Sequence, residues 1–213
     1  MSLNVRWRYY RFIFNLLDAE WLNKVKIQSF MNYYGSIGIA LPMIKIANSE
    51  DDLGVVLRIH LLCEKFLEAW ICGITGHDNL FSEAPQSGDF QMEFFQKLKM
   101  CQLTGLPESA YKSIKKINDI RNSFAHRLSV TAIKDSEIDT VHHHVRGLAE
   151  TYLSFPLSEF QIETYDEDGK TKYRYALESR DTPNRAKLIC LYSALIMCLF
   201  SYLEIPPNST QPK

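Results

Sequence analysis

Apolar residues recur every three or four positions along most of this 213-residue chain. One series comprises Leu53, Val56, Leu57, His60, Leu61, Glu64, Leu67 and Ile71, in which two polar residues interrupt the apolar ones. A later series comprises Ile138, Val141, Val145, Leu148 and Tyr152. This spacing follows one face of an α-helix, whereas a strand would repeat every two residues. The sequence therefore predicts a mainly α fold, a helical bundle of about six helices.

Capping residues set the expected ends of these helices. Ser49 with Asp52 three positions later forms a variant of the capping box, and Gly73 ends the helix that follows. Gly105 gives the C-terminal signal of another helix, and Pro107 opens the next at the position that tolerates proline best. The predicted helices cover residues 6–34, 49–73, 90–103, 107–127 and 136–152, with a last one from Thr182 or Asn184 to Pro206.

One stretch departs from the helical period. Phe160, Ile162 and Thr164 alternate with polar residues, and Thr171, Tyr173 and Tyr175 do the same after Asp168-Gly169. An Asp-Gly pair between two alternating runs is typical of a hairpin turn. The sequence therefore predicts a small β-hairpin excursion near residues 160–176. Connectors without regular structure are expected around Leu41-Pro42 and over residues 74–89.

Length and composition fit one globular unit. Hydrophobic residues make up 46% of the chain and charged residues 23%, which is ordinary for a folded domain. The net charge of −1 excludes the strongly basic class of nucleic-acid-binding proteins. We expect a single helical domain over residues 1–205, followed by a polar tail over residues 206–213.

Cysteine usage and apolar runs bear on location. The five cysteines are unclustered and odd in number, so we expect small buried hydrophobes in a reducing compartment, not disulfides or a zinc site. The run Phe12–Leu17 is too short and too interrupted for a signal peptide. The run Leu188–Leu203 falls short of the roughly 20 residues that cross a bilayer. The expected location is cytoplasmic, with no membrane contact.

The segment with the clearest chemical potential ends the predicted helix over residues 107–127. It reads Ile120-Arg121-Asn122-Ser123-Phe124-Ala125-His126. It lies between Lys97 and Lys134, a stretch with eight Lys or Arg residues but only two acidic ones, Glu108 and Asp119. That imbalance predicts either a local positive patch or a solvated helix face. Arginine holds phosphate through a planar fork, and histidine carries a proton near neutral pH.

The spacing within this segment leaves three geometries open. Arg121 and His126 stand five positions apart, about 140° around an ideal helix, and so do not share a narrow face. Asn122 and His126 stand four apart and do share one. The helix could present Asn122 and His126 without Arg121, or it could loosen near His126. Alternatively, two chains could pair these helices so that residues of both line one cleft.

The Arg-x4-His stretch, with Asn122 after the arginine, resembles the signature of HEPN domains, which are bundles of four to five helices. Many such domains are metal-independent endoribonucleases with active sites built across a dimer interface, and they often act as toxins paired with nucleotidyltransferase-like antitoxins. The resemblance implies that Arg121, Asn122 and His126 are catalytic and that no cofactor or metal is needed. It also implies a toxin or stress regulator whose partners are a second copy, RNA, and an antitoxin or regulatory protein.

A wider stretch, residues 51–128, is similar to mannitol operon repressor-like proteins. The similarity lies in residues 94–106, with their helix and short glycine turn, and in residues 107–120. Members of that family are described as regulators. This second resemblance implies a non-catalytic regulatory or interaction module, with a function in transcription regulation. On either resemblance the core of the domain would span about residues 49–154.

The residue types define the chemistry expected of an RNA-cleaving site. His126 would take the proton of a ribose 2′-hydroxyl, and Arg121 would stabilise charge at the phosphorus centre. Asn122 would orient His126 or donate to a phosphate oxygen, and RNA would be preferred because its own 2′-hydroxyl is the nucleophile. The alternative interpretation is structural. Arg121 and Asn122 would then bond to helix-end carbonyls or to a carboxylate such as Glu64 or Asp119, and His126 would be buried.

Two other groups of polar residues are candidates of less weight. His60 and Glu64 stand four apart on the helix predicted over residues 49–73 and could form a buried polar pair facing the motif helix. His142, His143 and His144 are consecutive, so on a helix they point in different directions and cannot converge on one metal. We expect these three to form a solvated helix edge.

Overall fold

In the computed structural model the described residues are 25–38, 40–49, 51–81, 90–127, 129–165 and 171–204. Seven α-helices and a two-stranded antiparallel sheet lie within these ranges. The helices are α1 (Ile27–Ser36), α2 (Ala40–Ala47), α3 (Asp52–Thr75), α4 (Phe94–Leu103), α5 (Glu108–His126), α6 (Asp135–Tyr152) and α7 (Asn184–Glu204). The strands are β1 (Gln161–Tyr165) and β2 (Thr171–Ala176). The predicted mainly α fold with a small hairpin is confirmed.

α3 and α7 form the centre of the core. Both are apolar around most of their circumference, so neighbouring elements must cover them on several sides. α7 packs against α6, α3, α2 and the hairpin. By length and composition α7 could cross a bilayer, but 72% of its most apolar window is buried inside the protein. This burial supports the prediction that the run Leu188–Leu203 is a core helix.

Aromatic rings fix α1 on this core. The Phe30 ring lies 5.5 Å from that of Phe66 on α3 and 5.8 Å from that of Phe200 on α7, both edge-on. Tyr34 repeats the arrangement one turn later. Edge-on aromatic pairs add about 0.5–1.5 kcal/mol each beyond the burial of their surface. Of the helix predicted over residues 6–34, the part before Val25 lies outside the described residues.

Both predicted ends of α3 were wrong. Its N-cap is Asp51, not Ser49, and the Asp51 carboxylate accepts hydrogen bonds from the backbone of Leu53 (3.2 Å) and Gly54 (2.7 Å). The helix also continues past Gly73 to end at Gly76, whose φ of 72° is the left-handed conformation that glycine adopts readily. Gly73 instead allows close packing, because a Cβ there would lie 2.4 Å from Cγ1 of Val25.

The connector predicted around Leu41-Pro42 was also wrong, since these residues belong to α2. Pro42 is the third residue of that helix. Backbone N–H groups in the first turn have no acceptor within the helix, so a proline there removes no hydrogen bond. α2 buries Ile46 completely and thereby joins the core.

The boundaries of α4 and α5 follow their caps. α4 begins at Phe94, four residues later than predicted, because Glu93 and Gln96 form the capping box. At its end Gly105 has a φ of 109° and the next residue, Leu106, donates to the carbonyl of Cys101 over 2.9 Å, as a glycine C-terminal signal requires. Pro107 is the N-cap of α5, one residue before the helix. The prediction for α5 is therefore confirmed to within one residue at each end.

The hairpin predicted near residues 160–176 is confirmed. β1 and β2 pair antiparallel, with Glu163 directly opposite Arg174, and the two side chains form a 2.7 Å ion pair. The pair of strands lies against α2 and α7. Asp168-Gly169, the predicted turn, lies outside the described residues.

All five cysteines are buried, as predicted, and their thiols are free, at Cys63, Cys72, Cys101, Cys190 and Cys198. Burial raises the pKa of Cys190 and of Cys198 to about 12. Their thiols are therefore protonated near neutral pH and act as small apolar side chains.

Two contacts show that α3 and α5 run antiparallel. His60, in the middle of α3, contacts Asn118 on α5. Asp52, at the start of α3, accepts a hydrogen bond from the backbone of Ile133, beyond the end of α5. The first turns of α3 therefore run beside the last turns of α5, and this pairing positions the candidate site.

Candidate functional site

The last two turns of α5 carry Arg121, Asn122 and His126. The helix forms because apolar residues recur on one face and are buried there, at Ala110, Ile114, Ile117 and Ile120. Arg121 follows Ile117 by four positions and so continues this face, whereas Asn122 and His126 lie on the other side of the helix. Arg121 and Asn122 are half-buried, whereas His126 is exposed as the last residue of the helix. The motif therefore lies at the end of a helix, with Arg121 on its core-facing side and His126 on its solvent-facing side.

Arg121 is held by its neighbour. Its Nη1 donates to Oδ1 of Asn122 over 3.0 Å. Its Nε is buried and has no hydrogen-bond partner among the described residues. A buried donor without a partner costs free energy, roughly 1–3 kcal/mol, unless a ligand satisfies it. The guanidinium is thus oriented but incompletely bonded.

In the structural interpretation, Arg121 binds a carboxylate such as Glu64 or Asp119. In the structure, both carboxylates bind lysines instead. Glu64 accepts from Lys97 over 2.7 Å, and Asp119 accepts from Lys115 over 3.2 Å. No ion pair to Arg121 occurs within the part of the chain that the structure describes. The positive charge of Arg121 is therefore uncompensated by a direct contact there.

His126 differs from the buried histidine of the structural interpretation, because it is exposed and ends the helix. α5 stays helical through His126, so the helix does not loosen before it. Five residues of helix separate Arg121 and His126 by about 7.5 Å along the axis and about 140° around it. Asn122 bonds to Arg121, not to His126. One copy of the chain therefore does not bring the arginine and the histidine together.

His60, on the facing helix, contacts α5 one turn before Arg121. Its Nε2 is 3.0 Å from Oδ1 of Asn118, and its ring stacks on that of Phe94 with centroids 4.4 Å apart. Burial lowers the pKa of His60, and the charge of Arg121 lowers it further, whereas the hydrogen bond that His60 donates to Asn118 and the charge of Glu64 raise it. The neutral imidazole is therefore favoured at this position.

The predicted pairing of His60 with Glu64 is met only in part. His60 does face the motif helix, through Asn118. Glu64 turns instead to Lys97 on α4 and affects His60 only through its charge. Both side chains are half-buried.

Lys97 and Glu68 form a buried ionic network that the sequence did not reveal. Lys97 is 2.5 Å from Glu68 and 2.7 Å from Glu64, and Glu68 also accepts from Lys65 and from the Tyr33 hydroxyl. Burial alone would raise the pKa of Glu68, but these hydrogen bonds outweigh it and the net shift is downward. The network links α1, α3 and α4, and its charges are balanced, so it offers no charge for a ligand.

Ion pairs reduce the positive charge predicted between Lys97 and Lys134. Lys97 is neutralised by the network, and Lys112 and Lys115 pair with acidic residues of α5. Arg121 and Arg127 form no ion pair among the described residues. The uncompensated charge of this segment thus includes the two arginines at the C-terminal end of α5.

An apolar stripe borders this polar group. Leu53, Leu57 and Leu61 on α3 are 40%, 42% and 52% exposed. At 3.6 residues per turn they lie within about 100° of His60 around the helix. Exposed apolar side chains that line up in a row mark an interaction surface more often than scattered ones do. We call this row the leucine stripe.

The three consecutive histidines lie elsewhere, on α6. His142 contacts Glu178 over 3.0 Å, which differs from the purely solvated edge that we expected. The rings of His143 and His144 meet edge-on with centroids 5.4 Å apart. Within the described ranges, no group of three or more His, Cys, Asp or Glu residues is placed to hold a metal ion.

A cavity of about 290 Å³ lies away from the motif, where the end of α2, strand β2 and the start of α7 meet. Arg185 and Tyr175 are among its lining residues. Arg121, Asn122 and His126 do not line it.

The sequence did not identify Asn118 and Phe94 as partners of His60. Asn118 precedes Arg121 by three positions and so shares its face of α5, which was the available signal. Nothing in the local pattern points from Phe94 to His60, because the two residues meet only through the packing of α4 on α3.

Comparisons with known proteins do not identify a family. No protein-family model, no curated protein and no solved structure matches the chain. The function must therefore be inferred from the residues of the site.

Proposed function

We propose that this chain is a HEPN-type protein that binds RNA and cleaves it without a metal, acting as a homodimer. The observation that carries the proposal is the state of Arg121. Its guanidinium is oriented by Asn122, has a buried Nε without a partner, and has no carboxylate beside it among the described residues. A phosphate bound to this guanidinium would compensate its charge. A half-buried arginine in this state fits a ligand-binding role better than a structural one.

The chemical step would proceed as follows. The ribose 2′-oxygen attacks the adjacent phosphorus, and the bond from phosphorus to the 5′-oxygen breaks. His126 accepts the 2′-hydroxyl proton, and the departing 5′-oxygen takes a proton from water. The products are a 2′,3′-cyclic phosphate and a 5′-hydroxyl. Arg121 stabilises the charge that develops on the phosphoryl oxygens, and Asn122 holds Arg121 in place.

A second copy of the chain completes the proposed site. Arg121 and His126 lie too far apart around α5 to act on one phosphate within a single copy, since five helical residues separate them. If the motif helices of two copies meet, the arginine of one can approach the histidine of the other. The leucine stripe lies on the segment of α3 that flanks this end of α5, so we propose that it contributes to the contact.

The leucine stripe also favours a second candidate function, a non-catalytic regulatory or interaction module of the mannitol operon repressor-like kind. Such a module would use its apolar surface to assemble and would need no phosphate contact at Arg121. It predicts self-association without RNA binding. RNA binding therefore separates the two candidates.

The proposal is tested by incubating the full-length chain with a mixed pool of RNA in the presence of EDTA. The variants are Arg121→Ala and His126→Ala. The matched controls are Arg146→Ala and His143→Ala, both on the remote surface of α6 and both exposed. Chelation removes metal-dependent contaminating nucleases, and the end groups of the products identify the reaction.

The expected result is cleavage that leaves 2′,3′-cyclic phosphate ends. His126→Ala should abolish it, Arg121→Ala should reduce it by about 10²–10³-fold, and the two controls should retain full activity. If the chain is a toxin, its expression should arrest growth and the His126→Ala variant should not. If the chain binds RNA but does not cleave it, it is an RNA-binding protein and not a nuclease. If it neither binds nor cleaves RNA, the proposal is contradicted.

A further inference from the structure

We propose that His60 contacts the ribose 2′-hydroxyl of a nucleotide whose phosphate binds Arg121, so that the ligand of this site is an RNA strand and not DNA or a single nucleotide. This inference rests on the proposed function and extends it, because it assigns the choice of sugar to a residue on a different helix from the motif. Four features of the structure support it.

The first feature is the hydrogen bond that fixes the imidazole. Oδ1 of Asn118 is an amide oxygen and can only accept, so Nε2 of His60, 3.0 Å away, must carry the hydrogen. In a neutral imidazole the other nitrogen, Nδ1, then has a lone pair and accepts hydrogen bonds. The burial of His60 and the charge of Arg121 both disfavour a second proton. His60 is therefore set as an acceptor, which suits a hydroxyl donor.

The second feature is that Nδ1 remains available. The hydrogen bond of the ring to the described residues is made through Nε2, and His60 as a whole is only half-buried. Phe94 covers one face of the ring, and Asn118 occupies the Nε2 edge. A ligand can therefore approach through the edge that bears Nδ1, and the stacking keeps the ring from turning away.

The third feature is the proximity of Arg121. Its charge acts on His60, and it stands three positions after Asn118 on the same face of α5. Glu64 on α3 also faces His60, but Lys97 on α4 binds its carboxylate. An anion at Arg121 would therefore lie beside the imidazole, with the nearest carboxylate already neutralised. A ribose attached to a bound phosphate fits this arrangement.

The fourth feature is the distance to His126. Eight helical residues separate Asn118 from His126, which is about 12 Å along the axis of α5. Within one copy, the sugar held at His60 therefore belongs to a different nucleotide from the one at His126. A ligand that contacts both positions must be an oligonucleotide.

The test measures the binding of three short single-stranded oligonucleotides of one sequence: RNA, DNA, and RNA in which every 2′-oxygen is methylated. The methyl group removes the donor and retains a ribose. His126→Ala serves as the background so that RNA stays intact. Two further substitutions are made in that background. The first is His60→Phe, which retains an aromatic ring to stack on Phe94 but has no acceptor nitrogen. Asn118→Leu, which releases the imidazole, is the second variant.

The expected result is that the background protein binds RNA about fivefold more tightly than the methylated strand, as one hydrogen bond of about 1 kcal/mol implies. His60→Phe should bring this ratio to about one and leave the affinity for the methylated strand and for DNA unchanged, because Arg121 is untouched. Asn118→Leu should lower the ratio as well.

Three outcomes overturn the inference. RNA and methylated RNA that bind equally well to the background protein would refute the role of His60 while the proposed function stands. A folded His60→Phe variant that keeps the ratio of affinities for RNA and methylated RNA would also refute the role of His60. If that variant does not fold, an unchanged ratio in Asn118→Leu would refute it instead. No binding of any oligonucleotide would refute the proposed function and this inference together.

Discussion

His60 Nε2 donates a hydrogen bond to Asn118 Oδ1 over 3.0 Å, and this contact ties the middle of α3 to α5 one turn before Arg121. It joins residues 58 positions apart in the sequence. It places an imidazole beside an arginine that has no carboxylate partner among the described residues.

His60 should make the stability of the protein depend on pH near neutrality. Its pKa is lowered in the folded state, so between that value and about 6.5 the unfolded chain binds more protons than the folded one. The free energy of unfolding should therefore fall as the pH drops below about 6.5. Urea denaturation of the wild type and of His60→Phe over this pH range measures the free energy of unfolding of each. The same pH dependence in both proteins would show that His60 does not contribute.

Arg121→Met should separate stability from binding. The substitution removes a buried, unpartnered Nε and an uncompensated charge while retaining an apolar stem. We expect the free energy of unfolding to stay within about 1 kcal/mol of the wild type or to rise, and RNA affinity to fall at least tenfold. Thermal denaturation and a binding titration measure the two effects. A loss of several kcal/mol with unchanged binding would assign Arg121 to the structure instead.

Glu68→Gln should destabilise the bundle strongly. Glu68 is buried and accepts from Lys97, Lys65 and Tyr33, so the substitution leaves buried lysine charge poorly compensated. We expect a loss of roughly 3 kcal/mol near neutral pH, measured by urea denaturation. Because the folded state lowers the pKa of Glu68, this stability is present above about pH 4.5 and is lost as the pH falls through the lowered value. The variant should therefore lack part of the acid sensitivity of the wild type.

Gly73→Ala should disturb the packing of α3 on the segment before α1. A Cβ there would meet Cγ1 of Val25 at 2.4 Å, and we expect a loss of about 1–3 kcal/mol. Gly35→Ala is the matched control, because no atom lies within 4 Å of its Cβ position in α1. That control should be neutral or slightly stabilising. Equal melting temperatures for the two variants would contradict the packing described here.

Leu57→Asp should weaken the proposed homodimer without unfolding the chain. Leu57 is exposed in a single copy, so its replacement removes little core contact. Leu103→Asp on α4 is the control, since Leu103 is also exposed and lies outside the leucine stripe. Light scattering across a concentration series should show more dissociation for Leu57→Asp than for Leu103→Asp. A wild type that stays monomeric at all concentrations would refute the homodimer.

The sequence predicted elements well where one local signal dominates. α5 was predicted to within a residue, because Pro107 and the apolar face through Ile120 agree. Gly105 also ends α4 as expected. By contrast, a connector was predicted around Leu41-Pro42. Pro42 instead occupies the first turn of α2, where a proline removes no backbone hydrogen bond.

The period of α3 identified a helix but not its buried face. Leu53, Leu57 and Leu61 fit the predicted apolar series and are exposed, whereas Val55, Ile59 and Phe66 are in the core. A helix that is apolar nearly all around gives no contrast from which to choose a face. The same limit applies to Gly73, which ends no helix and instead makes room for Val25.

Only the part of the site that lies on a single helix could be predicted from the sequence. Arg121, Asn122 and His126 are adjacent in sequence, and their placement on the end of α5 follows from the helical period. The contacts of Asn118 with His60 and of Lys97 with Glu64 join different helices. They depend on how the helices pack, which no local pattern specifies.

The central claim is that the Arg121 guanidinium is available to bind a phosphate. The most direct measurement is the affinity of a short single-stranded RNA for the His126→Ala protein with and without Arg121→Ala, across a range of salt concentrations. We expect at least a tenfold loss of affinity and a shallower salt dependence when Arg121 is removed. Equal affinity and equal salt dependence in the two proteins would contradict it.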